Sequence, residues 1–112
     1  MRFPISALMA LALVSACGPT PEQDAAAVEI VRGSKAAQDM VYADCVRNVS
    51  GNDRTRLANL AAVANTTPAR APRVICQRVV GGIVSGRITQ ADVAGMRRGQ
   101  VSPKLVRVVQ GR

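Results

Sequence analysis

Histidine and aromatic residues are almost missing from this 112-residue sequence. It contains no His and no Trp, and only one Tyr and one Phe. Without His, the chain lacks the side chain that most often acts as a general base near neutral pH and most often binds transition metals. With so few aromatic side chains, it has no platform on which nucleic acid bases could stack. These absences argue against a metal site and against nucleic acid as a partner.

The other reactive groups form no catalytic or ligand-binding pattern. The acidic residues are scattered and do not have the spacing of a calcium-binding loop. Ser34 and Lys35 are adjacent, so on a helix they point in different directions and make a poor nucleophile–base pair. Gly81-Gly82 is not followed by the Lys-Ser or Lys-Thr of a phosphate-binding loop. We therefore expect a protein that is not an enzyme and that uses no cofactor.

The amino-terminal segment has the layout of an export signal. Arg2 supplies a positive charge, and residues 3–14 contain no charged side chain. This apolar run is shorter than the stretch of about 20 residues that a transmembrane helix needs. A basic start, a short apolar run and then small residues are typical of a cleaved secretory signal. We expect residues 1–16 to be removed during export.

The end of this segment, Val14-Ser15-Ala16-Cys17, resembles the lipobox of bacterial lipoproteins. In proteins with this motif the Cys sulfur receives a diacylglycerol, and the chain is cut just before the Cys. The resemblance implies that Cys17 becomes a lipidated first residue and that two or three acyl chains hold the protein to a membrane. Because Gly18 and not Asp follows, it implies the periplasmic face of the outer membrane. The alternative is an ordinary cleaved signal and a secreted protein.

The number of cysteines agrees with lipidation. The chain has three, and an odd free thiol is unfavourable in an oxidising compartment. If Cys17 carries lipid, Cys45 and Cys76 remain as a pair. A disulfide between them would close a loop of about 30 residues and stabilise the fold by roughly 3–4 kcal/mol. Two buried free thiols, or a bond from Cys45 to a partner chain, are the alternatives.

We interpret residues 17–23 as a lipidated tether and residues 24–112 as one small basic domain. Pro19 and Pro21 disfavour regular structure in the tether. Tyr42 is the only aromatic residue after the signal, so the core must be built from Ala, Val, Ile, Leu and Met. Small domains with such cores are marginally stable, which is a reason to expect a disulfide.

Apolar residues recur at three- or four-residue spacing and predict helices. We expect an all-α fold, a small bundle of three to five short helices stapled by one disulfide. The predicted segments are 24–48, a helix starting near residue 53, 72–85, 90–98 and a last turn or two over 104–110. Thr89, with Asp92 three residues later, resembles a capping box before the fourth segment, and Ser102-Pro103 is a typical helix start before the last. The third segment is rich in β-branched residues, so a strand competes with a helix there.

Each segment has an expected inward face. These faces are Ile30, Gly33, Ala37, Val41 and Cys45 in the first; Leu57, Leu60, Ala61 and Ala64 in the second; Ile75, Cys76, Val79, Val80, Ile83 and Val84 in the third; and Leu105, Val108 and Val109 in the last. The third segment is apolar over most of its circumference, so we expect it to be central. Gly81 and Gly82 predict close approach of a neighbouring helix.

Charge is distributed unevenly along the chain. Residues 17–53 contain six acidic and three basic side chains, whereas residues 54–112 contain eleven basic side chains and a single acid, Asp92. Arg is suited to paired contacts with phosphate and carboxylate groups. The candidate contacts with an anionic partner are Arg70, Arg73, Arg78, Arg87, Arg97, Arg98, Lys104 and Arg107.

These features predict a membrane-anchored, non-catalytic cell-envelope lipoprotein that binds another envelope protein. Direct electrostatic binding to an anionic lipid or envelope polymer is a second hypothesis. A small lysis-type or immunity-type lipoprotein is a third.

Overall fold

The computed structural model describes Gly18 and residues 20–112 of the chain. This part contains six α-helices and no strand. The helices are α1 (Pro21–Gly33), α2 (Lys35–Ser50), α3 (Arg54–Val63), α4 (Ala71–Val84), α5 (Gln90–Arg97) and α6 (Pro103–Val109). The predicted all-α class is confirmed, but the helix count exceeds the expected three to five.

The predicted first helix is divided in two at Ser34, which accounts for the higher count. Ser34 has an extended backbone (φ −133°, ψ 117°), and its hydroxyl accepts a hydrogen bond from the backbone N–H of Ala37 at 3.2 Å. The side-chain amide of Gln38 donates to the carbonyl of Val31 near the end of α1 at 2.9 Å. Ser is a preferred residue at a helix start. These local hydrogen bonds outweigh the apolar period that runs across the break, and the break lets α1 pack against α5.

The break also changes which side of α1 faces inward. Val28 and Val31 are buried, whereas Ile30 is 61 % exposed, so the inward placement predicted for Ile30 is wrong. In α2, Ala37 and Val41 pack against the core as predicted. The break at Ser34 shifts the apolar period, so the inward face of α2 does not continue along α1.

The start of α1 lies three residues before the predicted one. Pro21 occupies the first turn, where its missing N–H is not needed. Thr20 caps the helix: its hydroxyl accepts from the backbone N–H of Gln23, and the Gln23 side chain accepts from the Thr20 backbone N–H. Three residues assigned to the tether are therefore helical.

The third predicted segment forms α4, which is the central helix. It packs against α1, α2, α3 and α6. Ile75, Cys76 and Ile83 are buried, as predicted, but Val84 is exposed. Cys76 forms a disulfide with Cys45 of α2, with the two Cα atoms 5.7 Å apart. The predicted pairing within the chain is confirmed.

Two core clusters lie on different parts of α4. One contains the buried residues Val28, Val31, Ile83, Ile88, Leu105 and Val108, and the other contains Ala61, Ala64, Ala71 and Ile75. Val79 packs against both clusters and connects them. All these side chains are aliphatic and many are small, so the space between helices is not filled everywhere.

The adjacent glycines of α4 have different surroundings. A Cβ added at Gly82 would lie 2.7 Å from Cδ1 of Ile88 and 3.2 Å from Cγ1 of Val108, whereas a Cβ at Gly81 would meet nothing within 4 Å. The predicted close approach is confirmed at Gly82 and wrong at Gly81. At Gly82 the contacts come from α6 and from the segment before α5.

We expect Ala substitutions at these two positions to have opposite effects. Gly81→Ala should raise the free energy of unfolding by about 1 kcal/mol, because Ala favours helix and the added methyl is unobstructed. Gly82→Ala should lower it by about 1 kcal/mol net, because overpacking against the fully buried Ile88 exceeds the helical gain. Urea denaturation of both variants measures this, and changes of the same sign would contradict it.

Candidate functional site

An apolar groove of about 790 Å³ opens on one side of the helical domain. Its walls come from α2, the end of α3, α4, α5, α6 and the segment between α5 and α6. The apolar lining residues are Val41, Cys45, Val49, Leu60, Val63, Ile75, Val79, Val93, Met96, Val101, Leu105, Val106 and Val109. No aromatic side chain is among them. A volume of this size lies within the range of about 300–1,000 Å³ that is typical of ligand-binding sites.

The groove follows from the two-cluster core. Val79, which contacts both clusters, forms part of its surface, and Cys45 places the disulfide beside it. Eight of the 16 lining residues are Val, whose side chains are too short to meet across the space between the helices. A core with Phe or Trp at such positions would fill that volume.

The groove has few polar groups. Asp44, Asn48 and Arg97 are the polar lining residues. The carboxylate of Asp44 forms an ion pair with Arg47, and the guanidinium of Arg97 forms an ion pair with Asp24. Two of the three polar groups therefore already have partners. A molecule bound here would bury mainly apolar surface.

The Asp24–Arg97 ion pair connects the first turn of α1 to the edge of the groove. Asp24 is only 3 % exposed, and Arg97 lies at the end of α5. Acidic residues in the first helical turn are favoured by the helix dipole, so the sequence gives a reason for Asp24 to be there. Its burial depends on α1 packing against α5, which the sequence pattern did not reveal.

Four of the eight basic residues predicted to contact an anionic partner bind groups inside the domain. Arg78 donates to the carbonyls of Ala64 and Val109, both at 2.6 Å. Arg87 donates to the carbonyl of Arg112 at 2.6 Å. The other two are Arg97, paired with Asp24, and Lys104, paired with Asp92.

The other four are Arg70, Arg73, Arg98 and Arg107. Within the described residues their side chains make no hydrogen bond or ion pair. Arg70 and Arg73 line a shallow depression of about 160 Å³ at the start of α4. The structure thus separates the candidate residues into an internally bonded group and a group available to an external anion.

The carboxylate of Asp92 connects the first turns of α5 and α6. It accepts hydrogen bonds from the backbone N–H and the hydroxyl of Thr89 at 2.9 and 3.0 Å, and it pairs with the ammonium of Lys104 at 2.8 Å. Lys104, followed by the Thr89 backbone hydrogen bond, lowers the pKa of Asp92 from 3.8 to about 2. The capping role predicted for Thr89 and Asp92 is confirmed.

The lowered pKa of Asp92 predicts that its contact between α5 and α6 contributes less stability in acid. Because the folded-state pKa lies below the unfolded one, the Asp92 carboxylate contributes stability above its unfolded value of 3.8, and this contribution is lost as the pH falls toward about 2. We expect Asp92→Asn to lower the free energy of unfolding at neutral pH by up to about 2 kcal/mol and to differ little from wild type near pH 2. Denaturation over a pH series measures this.

Asp39→Asn is the matched control for the acid series. Asp39 is exposed and pairs with Lys35 at 2.7 Å. An exposed pair of this kind contributes less than about 1 kcal/mol, so the control should change little at any pH. An equal loss for Asp92→Asn at acidic and neutral pH would contradict the prediction.

The lipidation predicted at Cys17 falls outside the described residues and stays a prediction. Within the described part of the chain, no group of three or more Cys, Asp or Glu side chains is arranged to hold a metal ion. No described helix has the length and apolar character to cross a bilayer. Comparison with protein-family models, with curated proteins and with solved structures found no significant match for the chain.

Proposed function

We propose that this protein is a lipid-anchored, non-catalytic component of the bacterial cell envelope that acts by binding through its apolar groove. The observation that carries the proposal is the groove itself, with 13 apolar side chains among its 16 lining residues. Leaving such a surface open to water is unfavourable, and apolar patches of this kind mark binding sites. The proposed anchor at Cys17 would keep the groove near a membrane, where apolar ligands and partners are concentrated.

The anchor is tested by the mass of the amino-terminal peptide. The full chain, expressed with its own signal in a diderm bacterium, should yield a peptide that starts at Cys17 and carries diacylglycerol. Cys17→Ser should remove the lipid and shift the protein from the membrane to the soluble fraction. An unlipidated wild-type amino terminus would contradict the anchor.

The groove is tested with a soluble domain of residues 18–112. Both described core clusters lie within this range, so the domain contains them completely. An environment-sensitive apolar dye should bind it. Val101→Glu places a charge at the groove edge and should weaken dye binding at least about tenfold, because a dye bound there would remove water from the carboxylate, which is costly.

Ile30→Glu is the matched control for the groove test. Ile30 is exposed to 61 % and Val101 to 60 %, but only Val101 lines the groove. The control should bind the dye as wild type does, and both variants should keep the helical circular dichroism spectrum. Equal weakening by the two substitutions would count against the groove as the site.

Electrostatic binding to an anionic lipid or polymer is a second candidate function, supported by the four arginines that bind no other group of the described residues. On vesicles containing phosphatidylglycerol, binding should fall with rising salt. Arg70→Glu with Arg73→Glu should weaken it. Lys35→Glu with Arg47→Glu makes the same change in net charge at residues that already pair with acids, so it should weaken binding less. Salt-independent binding would contradict this function.

A further inference from the structure

We propose that the occupant of the apolar groove is one of the acyl chains carried by Cys17. The inference rests on the proposed lipidation and on the groove being the binding site. It names the ligand of that site as a hydrocarbon chain attached to the protein itself.

The first support is the short distance along the chain from Cys17 to the groove. Thr20 lies three positions after Cys17, a span of at most about 11 Å. From Thr20 to Asp24 the helical rise adds about 6 Å. The Asp24 carboxylate contacts Arg97, which lines the groove. The lipidated residue therefore lies within about 17 Å, measured along the backbone, of the residue that touches the groove edge.

The second support is the chemistry of the walls. They are mainly aliphatic. Of the three polar lining residues, Asp44 and Arg97 are held in ion pairs, and the third, Asn48, is uncharged. An extended peptide in the groove would bury backbone N–H and C=O groups that need hydrogen bonds. A hydrocarbon chain makes no such demand, so it fits a site with so few polar partners.

Charge disfavours a second copy of the chain as the occupant. Residues 17–112 carry 14 basic and 7 acidic side chains, so two copies repel each other. An acyl chain brings no charge into the groove. Its tether also makes binding intramolecular, with an effective concentration on the order of millimolar, which a free lipid in solution would have to match.

Docking of one acyl chain in the groove is compatible with anchoring of the protein to the membrane. Moving a chain from the bilayer to an apolar groove exchanges one apolar environment for another, so little hydrophobic free energy is lost. A lipoprotein with three chains keeps two in the bilayer, and two are enough for stable anchoring. The docked chain would hold the groove edge and the start of α1 against the membrane surface.

Photo-crosslinking at methionine tests the proposal on the complete lipidated protein. The four Met residues are Met1, Met9, Met40 and Met96, and the first two leave with the signal. Growth on a diazirine analogue of methionine therefore places photoreactive groups at two positions of the processed chain. Met96 lines the groove, whereas Met40 is 69 % exposed on α2 and does not, so it is an internal control.

The protein is reconstituted in vesicles of phosphatidylethanolamine and phosphatidylglycerol, illuminated and digested. Mass spectrometry of the peptides first establishes that Cys17 is lipidated. We expect the Met96 peptide to be joined to the lipidated Cys17 peptide at least about tenfold more often than the Met40 peptide, because a docked chain contacts Met96 whereas Met40 meets it only at the effective concentration of a free tethered chain. Val101→Glu should abolish this preference and Ile30→Glu should keep it.

Each other outcome overturns the proposal in a recognisable way. Crosslinks from Met96 to a vesicle phospholipid would show that the groove takes bilayer lipid. In intact envelopes, crosslinks from Met96 to another protein would show a protein occupant. Equal crosslinking from Met96 and Met40 would show that no chain sits in the groove. In all three cases a lipidated Cys17 leaves the proposed anchor standing, whereas an unlipidated Cys17 removes both.

Discussion

Replacing both Cys45 and Cys76 with Ala is expected to lower the free energy of unfolding by about 3–4 kcal/mol. The bond joins residues 31 apart in the sequence, and in the chain-entropy description the loss scales with the length of the closed loop. Domains of this size are stabilised by only about 5–15 kcal/mol in total. The change is therefore large enough to bring the domain close to unfolding at 37 °C.

The aromatic-poor core makes the disulfide more important here. Both core clusters consist of aliphatic side chains, many of them Ala and Val, which bury less apolar area than aromatic ones. The bond connects α2 to the central α4, and α3 lies within the loop that it closes. Its removal should loosen α2 and α3 together.

Guanidinium denaturation of residues 18–112 measures the effect. Oxidised wild type is compared with the double variant and with reduced wild type. The free energy of unfolding should fall by similar amounts in the last two. A monomer band on a non-reducing gel is expected for the oxidised protein. A loss below about 1 kcal/mol would contradict the loop-entropy argument, and a covalent dimer would contradict pairing within the chain.

Arg78→Met is expected to lower the free energy of unfolding by about 2–4 kcal/mol. The Arg78 guanidinium donates to Ala64 at the end of α3 and to Val109 at the end of α6, and hydrogen bonds to charged groups contribute about 1.5–3 kcal/mol each. The side chain is partly exposed, so the sum is reduced by competition with water. The substitution keeps an apolar stem of similar length, which limits the loss of packing.

Two further variants isolate the reason for this loss. Arg73→Met on the same helix removes an exposed Arg without an internal partner and should change stability by less than about 0.5 kcal/mol. Arg78→Lys keeps the charge but not the planar group that reaches both carbonyls, so its loss in free energy of unfolding should be intermediate. Urea denaturation measures all three, and equal losses at positions 73 and 78 would contradict the bridging role.

Local features were predictable because short-range chemistry decides them. Thr89 with Asp92, and Ser102 before Pro103, marked helix starts that the structure contains. The odd number of cysteines and the expected oxidising compartment predicted the disulfide. The second and third predicted segments, which form α3 and α4, were placed to within a few residues because their apolar stripes are continuous.

The break in the long first segment, and the helices against which its two parts pack, were not predictable in the same way. Ser34 carries a good capping side chain, but many Ser residues lie inside helices, and only packing of α1 against α5 selects the break. Likewise, Arg78 and Arg98 look equivalent in the sequence. Arg78 is internal because α3 and α6 bring two carbonyls to it from residues 14 and 31 positions away.

Residue type and short spacing along the chain were enough to predict the helical class, the caps of α5 and α6, the cysteine pair and the uneven charge. The sequence also predicts lipidation at Cys17. The tertiary structure alone decided the groove, the burial of Asp24 and the division of the arginines into bonded and available groups. These depend on how short helices with small side chains pack, and spacing along the chain does not encode the volume left between them.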